Sequence, residues 1–266
     1  MWGVRKFGIM GVAALSAFSI ASGLLPFSGP AMAEDEIVIL SAWAMRATLD
    51  SMQPVLAKAA HGLPVHIVYG TALDIATHAR ATAAYDMVIL PSKPLWDLVR
   101  EGLVRKGDER PLGKVNLGFA IKAGTPRPDM SSVDAMMASL RATPSIGYVD
   151  PASGATTGLY LTMMFKQMNL FDDMKVKQHL FADGTLTMAA LARGEIALAA
   201  GQLCDAVNVK GIEVLGPLPA GAAFTTTYVA APAAHATHGQ IAIELRDALA
   251  SDAFRDALKL NGFEPL

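Results

Sequence analysis
IVILSAWAMRATLDSM, residues 37–52, places a β-branched run, a small polar turn and an apolar helical stripe in that order. Glu36-Ile37-Val38-Ile39-Leu40 shows no polar alternation after its first residue, as expected of a parallel strand buried on both faces. Ser41-Ala42-Trp43-Ala44 then leads into a helix carrying Met45, Leu49, Met52, Val55 and Leu56. The same order recurs twice. Residues 64–69 (PVHIVY) read as a second strand, Gly70-Thr71-Ala72 as its turn, and residues 73–84 as a second helix. Residues 85–90 (YDMVIL) read as a third strand ended by Pro91, with a third helix beginning at Pro94. Strand, turn and helix repeated three times predict βαβ units with a parallel sheet.

Downstream the spacing changes. Residues 115–121 form a long strand, and Lys122-Ala123-Gly124-Thr125-Pro126-Arg127-Pro128 is a turn-rich exit from it. Ser131-Ser132-Val133-Asp134 opens a helix in the S-x-x-D manner. Residues 145–149 are a strand, followed by the polar, glycine-bearing loop 150–158 and an apolar helix over 159–168. A strand over 176–181, a helix ending near Arg193-Gly194-Glu195 and a buried strand over 196–200 follow. Residues 225–231 return as an extended segment, and 241–258 form the last helix. The simplest layout has two α/β lobes, each with a parallel or mixed sheet flanked by helices. Lobe I takes 34–118 and 225–266, lobe II takes 119–224, and extended crossovers near 115–124 and 222–230 join them around a cleft.

Ahead of the first strand the composition is different. Arg5 and Lys6 precede an uncharged apolar stretch over 7–25, then Pro26, Gly29 and Pro30, and a small-x-small Ala31-Met32-Ala33. This pattern predicts a secretory signal peptide over 1–33, cleaved after Ala33, and hence a periplasmic protein with no membrane insertion after cleavage. No cysteine stands at that junction, so lipid attachment there is not expected, and the single cysteine, Cys204, has no partner for an internal disulfide. Losing Arg5 and Lys6 leaves 20 basic against 24 acidic residues, which does not favour nucleic acid as a partner. An anion site in such a chain must come from local groups rather than from a global positive field.

Six segments in order, IVILSAWAMRATLDSM, VHIVYGTALDIATHARATAAYDMVILP, VNLGFAIKAGTPRPDMSS, IGYVDPASGATTGLYL, LARGEIALAAGQLCDAV and LNGFEPL, resemble the type II periplasmic solute-binding proteins. The molybdate-binding proteins of ABC importers are the nearest named relatives, and the resemblance spans the mature chain. It implies a two-lobed α/β binding protein, acting as a monomer with an ABC permease as partner. By the same resemblance, the first-loop serine of the molybdate binders is replaced at Ala44, the second-loop hydroxyl falls at Thr71 or Ala72, the third-loop small residue at Thr157 and the late tyrosine at Gln202. Those replacements, with Trp43 and Arg46 gained, shift the expected ligand from molybdate toward an organic di- or tricarboxylate. A periplasmic aconitate isomerase is built on a similar scaffold, so isomerisation of trans- and cis-aconitate is an alternative reading. A molybdate or oxyanion component of an importer is a further one.

Independently of that resemblance, open α/β sheets hold ligands beyond the carboxyl ends of their strands. There, helix starts present unpaired N–H groups to an anion. The loops in question are 41–46, 70–74, 91–93, 150–158 and 201–205. Their expected ligand-binding residues are Ser41, Trp43, Arg46, Thr71, Ser92, Ser153, Thr156, Thr157 and Gln202. Each has a plainer role open to it: serine and threonine before helices are commonly N-caps, Trp43 can be core, and Arg46 can be a solvated helix residue. Were the chain an isomerase, Asp74, His78, Tyr69 and Tyr160 are the candidate proton carriers. His235 and His238 stand three apart with no cysteine or carboxylate cluster beside them, so neither a metal nor a cofactor is expected. Cys204 reads as a small buried residue rather than a nucleophile.

Overall fold
The computed structural model describes residues 36–266, so the signal peptide expected over 1–33 lies outside the described residues. The chain begins with β1 (Ile37–Ala42), whose six residues are all buried. A tight turn over Trp43–Met45 leads into α1 (Arg46–Ser51) and α2 (Gln53–Ala59). The single helix expected here breaks at Met52, because Pro54 in the first turn of α2 has no N–H to continue the ladder. β2 (Val65–Gly70), α3 (Ala72–Ala81), β3 (Met87–Pro91) and α4 (Ser92–Arg100) complete the three expected units. β1 pairs in parallel with both β2 and β3.

β4 (Arg110–Lys122) is the longest strand and serves two neighbourhoods. Its first half pairs with β9 (Thr225–Pro232) from Arg110↔Ala230 to Asn116↔Thr225. Its second half pairs with β7 (Leu198–Gln202) on one side and β8 (Ile212–Pro217) on the other. Between these lie α5 (Val133–Ala142), β5 (Ile146–Val149), α6 (Thr156–Gln167), α7 (Phe171–Lys175), β6 (Gln178–Phe181) and α8 (Gly184–Arg193). α9 (Gly239–Ala248), α10 (Asp252–Leu260) and the short β10 (Glu264–Pro265), which pairs with β4, close the chain.

The strands run β2-β1-β3-β9-β4-β7-β5-β6 in one hydrogen-bonded path. Two parallel groups, β2-β1-β3 and β7-β5-β6, are thus joined through the antiparallel pair β9 and β4. Apolar cores follow the same division. One packs Ile37, Ile39, Leu40, Leu49, Met87 and Ile89 against Phe254 and Leu258. Another packs Phe119, Tyr148, Leu161, Phe165 and Leu198, with a smaller cluster around Met188 and Leu191.

Several boundaries differ from the sequence reading for local reasons. The strand expected at 196–200 starts at Leu198, because Gly194 turns through φ 81° and Ala197 N–H is taken by Ser145 Oγ. The last helix is two helices, since Ser251 caps a new start by accepting from Phe254 N–H. Ser132, not Ser131, caps α5. Neither β8 nor α7 was expected: both are too short and too mixed in pattern to show a clear period. Among the described residues no helix is long and apolar enough to cross a membrane.

Candidate functional site
The carboxyl ends of β1, β2, β3, β5, β6 and β7 converge on one small cavity of about 60 Å³. Its walls are Ala42, Trp43 and Ala44 after β1; Gly70, Thr71 and Ala72 after β2; Pro91 at the end of β3; and Ala155, Thr156 and Thr157 beyond β5. Asp183 and Gly184 open α8, Gln202 and Asp205 follow β7, and Tyr228 enters from β9. No lysine, arginine or histidine stands in this lining.

Three helices of ten or more residues start at the cavity, so their unpaired N–H groups bring partial positive charge to it. They differ in how those groups are used. α3 is closed by a reciprocal capping box: Thr71 Oγ1 accepts from Asp74 N–H, and Asp74 Oδ2 accepts from Thr71 N–H. Asp183 caps α8 by accepting from Leu186 N–H at 2.8 Å. No side chain caps α6, which starts at Thr156. The start of α6, with the half-buried Thr156 and the buried Thr157, therefore keeps the freest donors in the cavity.

Contacts span the cavity's rim. Thr71 Oγ1 donates to the Ser153 carbonyl at 2.8 Å. Gly154, at φ 71°, lies so close to Leu73 that a Cβ there would overlap the leucine side chain. On the far wall, Gln202 donates to Thr226 Oγ1 at 3.2 Å and accepts from the Tyr228 hydroxyl at 2.8 Å, so its amide is held rather than free.

The cavity meets a second, larger space of about 840 Å³ at Ala72, Pro91 and Thr156. That groove is apolar at its centre, with Leu73, Leu159, Tyr160, Met163 and Phe224, and carries Ser92, Lys93, Arg80 and Thr225–Thr227 as its polar edge. Its two cations already have partners, Arg80 with Glu101 and Lys93 with Asp97.

The expected residues separate clearly in space. Trp43, Thr71, Thr156, Thr157 and Gln202 line the cavity. Ser41 does not: it is fully buried within β1, its hydroxyl directed at the Ala42 carbonyl. Arg46 does not reach in either. Its guanidinium lies 5.4 and 5.7 Å from the rings of Trp43 and Tyr69, which stack on each other, and Nε faces Asp50. Ser92 lines the outer groove, and Ser153 turns its hydroxyl to Asp150 while offering its carbonyl to Thr71. Of the four proposed proton carriers none borders the cavity. Asp74 is spent on its cap, and His78 lies with it on an outer surface. Tyr69 donates to Asp50 at 2.8 Å, and its hydroxyl is pushed well above the usual range by burial and that bond. Tyr160 donates to the Ala222 carbonyl and stacks on Phe224 at the outer groove.

Asp183, Gly184, Asp205 and Tyr228 were not anticipated. Ala182-Asp183-Gly184 has the look of an N-cap before a helix and could have been found that way. Asp205 falls in the loop 201–205 expected to contribute, but no local pattern singles it out there. Burial, then the charge of neighbouring Asp183, pushes its carboxyl up to about 7. Cys204 and Tyr228 beside it are pushed well above their usual values by burial, so both are neutral, and the buried thiol is not a reactive nucleophile.

The sequence model of the bacterial extracellular solute-binding proteins matches residues 37–264, and the chain belongs to that family. An aconitate isomerase from Pseudomonas sp. is 28% identical over 259 residues, covering 95% of each chain. Among solved structures, the periplasmic molybdate-binding protein of Azotobacter vinelandii superposes with a TM-score of 0.67 at 17% identity, covering 86% of this chain and 98% of that one. The sulfate-binding protein SubI of Mycobacterium tuberculosis superposes with a TM-score of 0.69 at 16% identity, over 87% of each. At those identities the two structures show the fold alone.

Proposed function
We propose that this protein binds a small organic polycarboxylate between its two halves, 34–118 with 225–266 and 119–224, which close on the ligand by flexing at β4 and β9. The observation that carries this reading is the convergence of hydroxyls and helix starts from both parallel groups on one cation-free cavity clasped by the Thr71–Ser153 bond. Such a lining stabilises negative charge without a dedicated cation. A space of about 60 Å³ accepts one carboxylate head, and the adjoining groove accepts the remaining carbon skeleton, with Ser92 and Lys93 near its edge. Thr71, Thr156, Thr157 and the α6 amides are the ligand donors in this reading, and Trp43 forms a wall. A periplasmic site of action and delivery to an ABC permease go with the family.

Calorimetric titration with trans-aconitate, citrate, sulfate and molybdate tests it. The expected result is micromolar binding of the tricarboxylates and weak or no binding of the two inorganic anions. Tight molybdate or sulfate binding with inert tricarboxylates refutes the polycarboxylate reading.

A second reading, aconitate isomerisation, is favoured by the similarity to the aconitate isomerase and by a carboxyl group inside the cavity able to exchange a proton near neutrality. Following trans-aconitate by proton NMR with purified protein decides it: appearance of the cis isomer above the buffer rate supports the reading, and its absence removes it.

A further inference from the structure
Asp205 is the one ionisable carboxyl in the cavity not engaged in capping a helix. It follows β7 in the turn Leu203–Asp205, and its Oδ2 lies against Gly184, where any Cβ would overlap it. The titratable groups facing it are Asp183 from α8, Cys204 from its own turn and Tyr228 from β9. Asp183 is committed to Leu186 N–H, the Cys204 thiol reaches Asp205 Oδ1 only at 3.9 Å, and the Tyr228 hydroxyl is given to Gln202. A backbone hydrogen bond at Gln202 and the Cys204 thiol offset part of a negative charge here, but no cation faces it and Asp183 opposes it, and an arriving anion would add a second charge.

We propose that Asp205 is the hydrogen-bond donor through which the cavity takes its ligand: it enters the complex as the neutral acid and shares its proton with one carboxylate of the guest. The idea rests on the polycarboxylate reading above and narrows it. A carboxylic acid and a carboxylate have similar proton affinities, which makes the O–H···O⁻ bond between them short and strong. Sulfate is a far weaker base and gains less from the same donor. The elevated carboxyl of the free protein is consistent with this role, and a bound anion raises it further by like-charge proximity. Above neutral pH each binding event therefore takes up one proton from solvent, and no other atom changes hands.

Two measurements test this. In the first, the trans-aconitate affinity of the full mature chain is measured across pH 6.5–9, where the ligand itself is fully ionised. The expected Kd weakens by up to about tenfold per pH unit above neutrality, because a proton must be supplied with each guest. Asp205→Asn, which keeps an amide donor, is expected to give a flat profile, whereas Thr157→Ala loses affinity but keeps the slope. Equal slopes for wild type and Asp205→Asn overturn the proposal. In the second, carbon-13 NMR follows the aspartate carboxyls of the ligand-free protein, with Asp205→Asn assigning the resonance. A midpoint near 7 that rises with trans-aconitate supports the role, and a midpoint near 4 overturns it. If no polycarboxylate binds at any pH, the proposed function fails while this titration still decides whether the cavity holds a neutral acid.

Discussion

The inner cavity and the outer groove meet at three residues, yet they differ in size and in the side chains they present. The cavity is small and free of cations, with helix starts, three threonines and two aspartates. The groove is more than ten times larger and centred on Leu159, Tyr160, Met163 and Phe224, with its arginine and lysine already paired. A compact charge is best held where water is excluded and dipoles are fixed, since each fixed donor to a charged group contributes about 1.5–3 kcal/mol. A carbon skeleton is best held where apolar area can be covered, at roughly 25 cal/mol per Å². The difference predicts that polar and apolar substitutions separate by ligand as well as by magnitude.

The largest effect is expected where Gly154 meets Leu73. Gly154→Val forces a Cβ into Leu73 and is incompatible with φ 71°, which would block the closure proposed above. Trans-aconitate affinity should fall by about 100-fold or more, equivalent to ~2.7 kcal/mol, and small-angle scattering with ligand should stay at the ligand-free radius. An unchanged affinity would falsify the closure underlying the comparison.

Next comes the acid. Asp205 sits at about 7 in the folded protein against an ordinary aspartate value near 3.9 in the unfolded chain. The folded state therefore holds the proton more tightly. The stability this contributes is fully present below about pH 4 and is lost as pH rises through 7. Ligand-free protein should lose on the order of 2–4 kcal/mol, or roughly 5–10 °C in Tm, between pH 5 and 8. Asp205→Asn should flatten that part of the profile in differential scanning calorimetry, and a profile identical to wild type would remove the enclosed acid from the account.

Smaller effects follow at the clasp and the groove. Thr71→Ala loses both a helix cap and the bond to Ser153, and should weaken binding about tenfold and stability by about 1–2 kcal/mol. Thr71→Ser should restore most of both. Tyr160→Ala removes groove lining together with the bond to Ala222 and the stack on Phe224 but touches nothing in the cavity, so aconitate affinity should drop about threefold to tenfold while any sulfate binding is unchanged. Loss of both to the same degree would mean that groove and cavity are not separate compartments. Arg46→Ala should change affinity by less than about twofold, since its side chain is 57% exposed and paired with Asp50.

Much of the fold could be read along the chain because its elements are specified locally. The unbroken buried run of β1, the capping box Thr71–Asp74 and the Gly194 turn each depend on neighbours within a few residues. Errors clustered where a short-range rule competes with another, as at Pro54 and Ser251 inside apparently continuous helices. The site was legible only in part. Thr71, Thr156 and Thr157 could be picked out because hydroxyls at helix starts are a local pattern. Ser41 and Arg46 belong to the same loop by number, but the strand pleat turns one into the core and the Trp43–Tyr69 stack holds the other outside.

The sequence alone settled the class of fold, the parallel grouping of strands and the set of loops from which a ligand site could be drawn, because periodicity, caps and turns act within one element. Only the tertiary structure decided which of those loops share a cavity, that Gln202 is held by Thr226 and Tyr228, and that Asp205 is enclosed beside Asp183. A carboxyl's burial and charge state depend on what distant segments bring against it, and that is a property of packing, not of neighbouring letters.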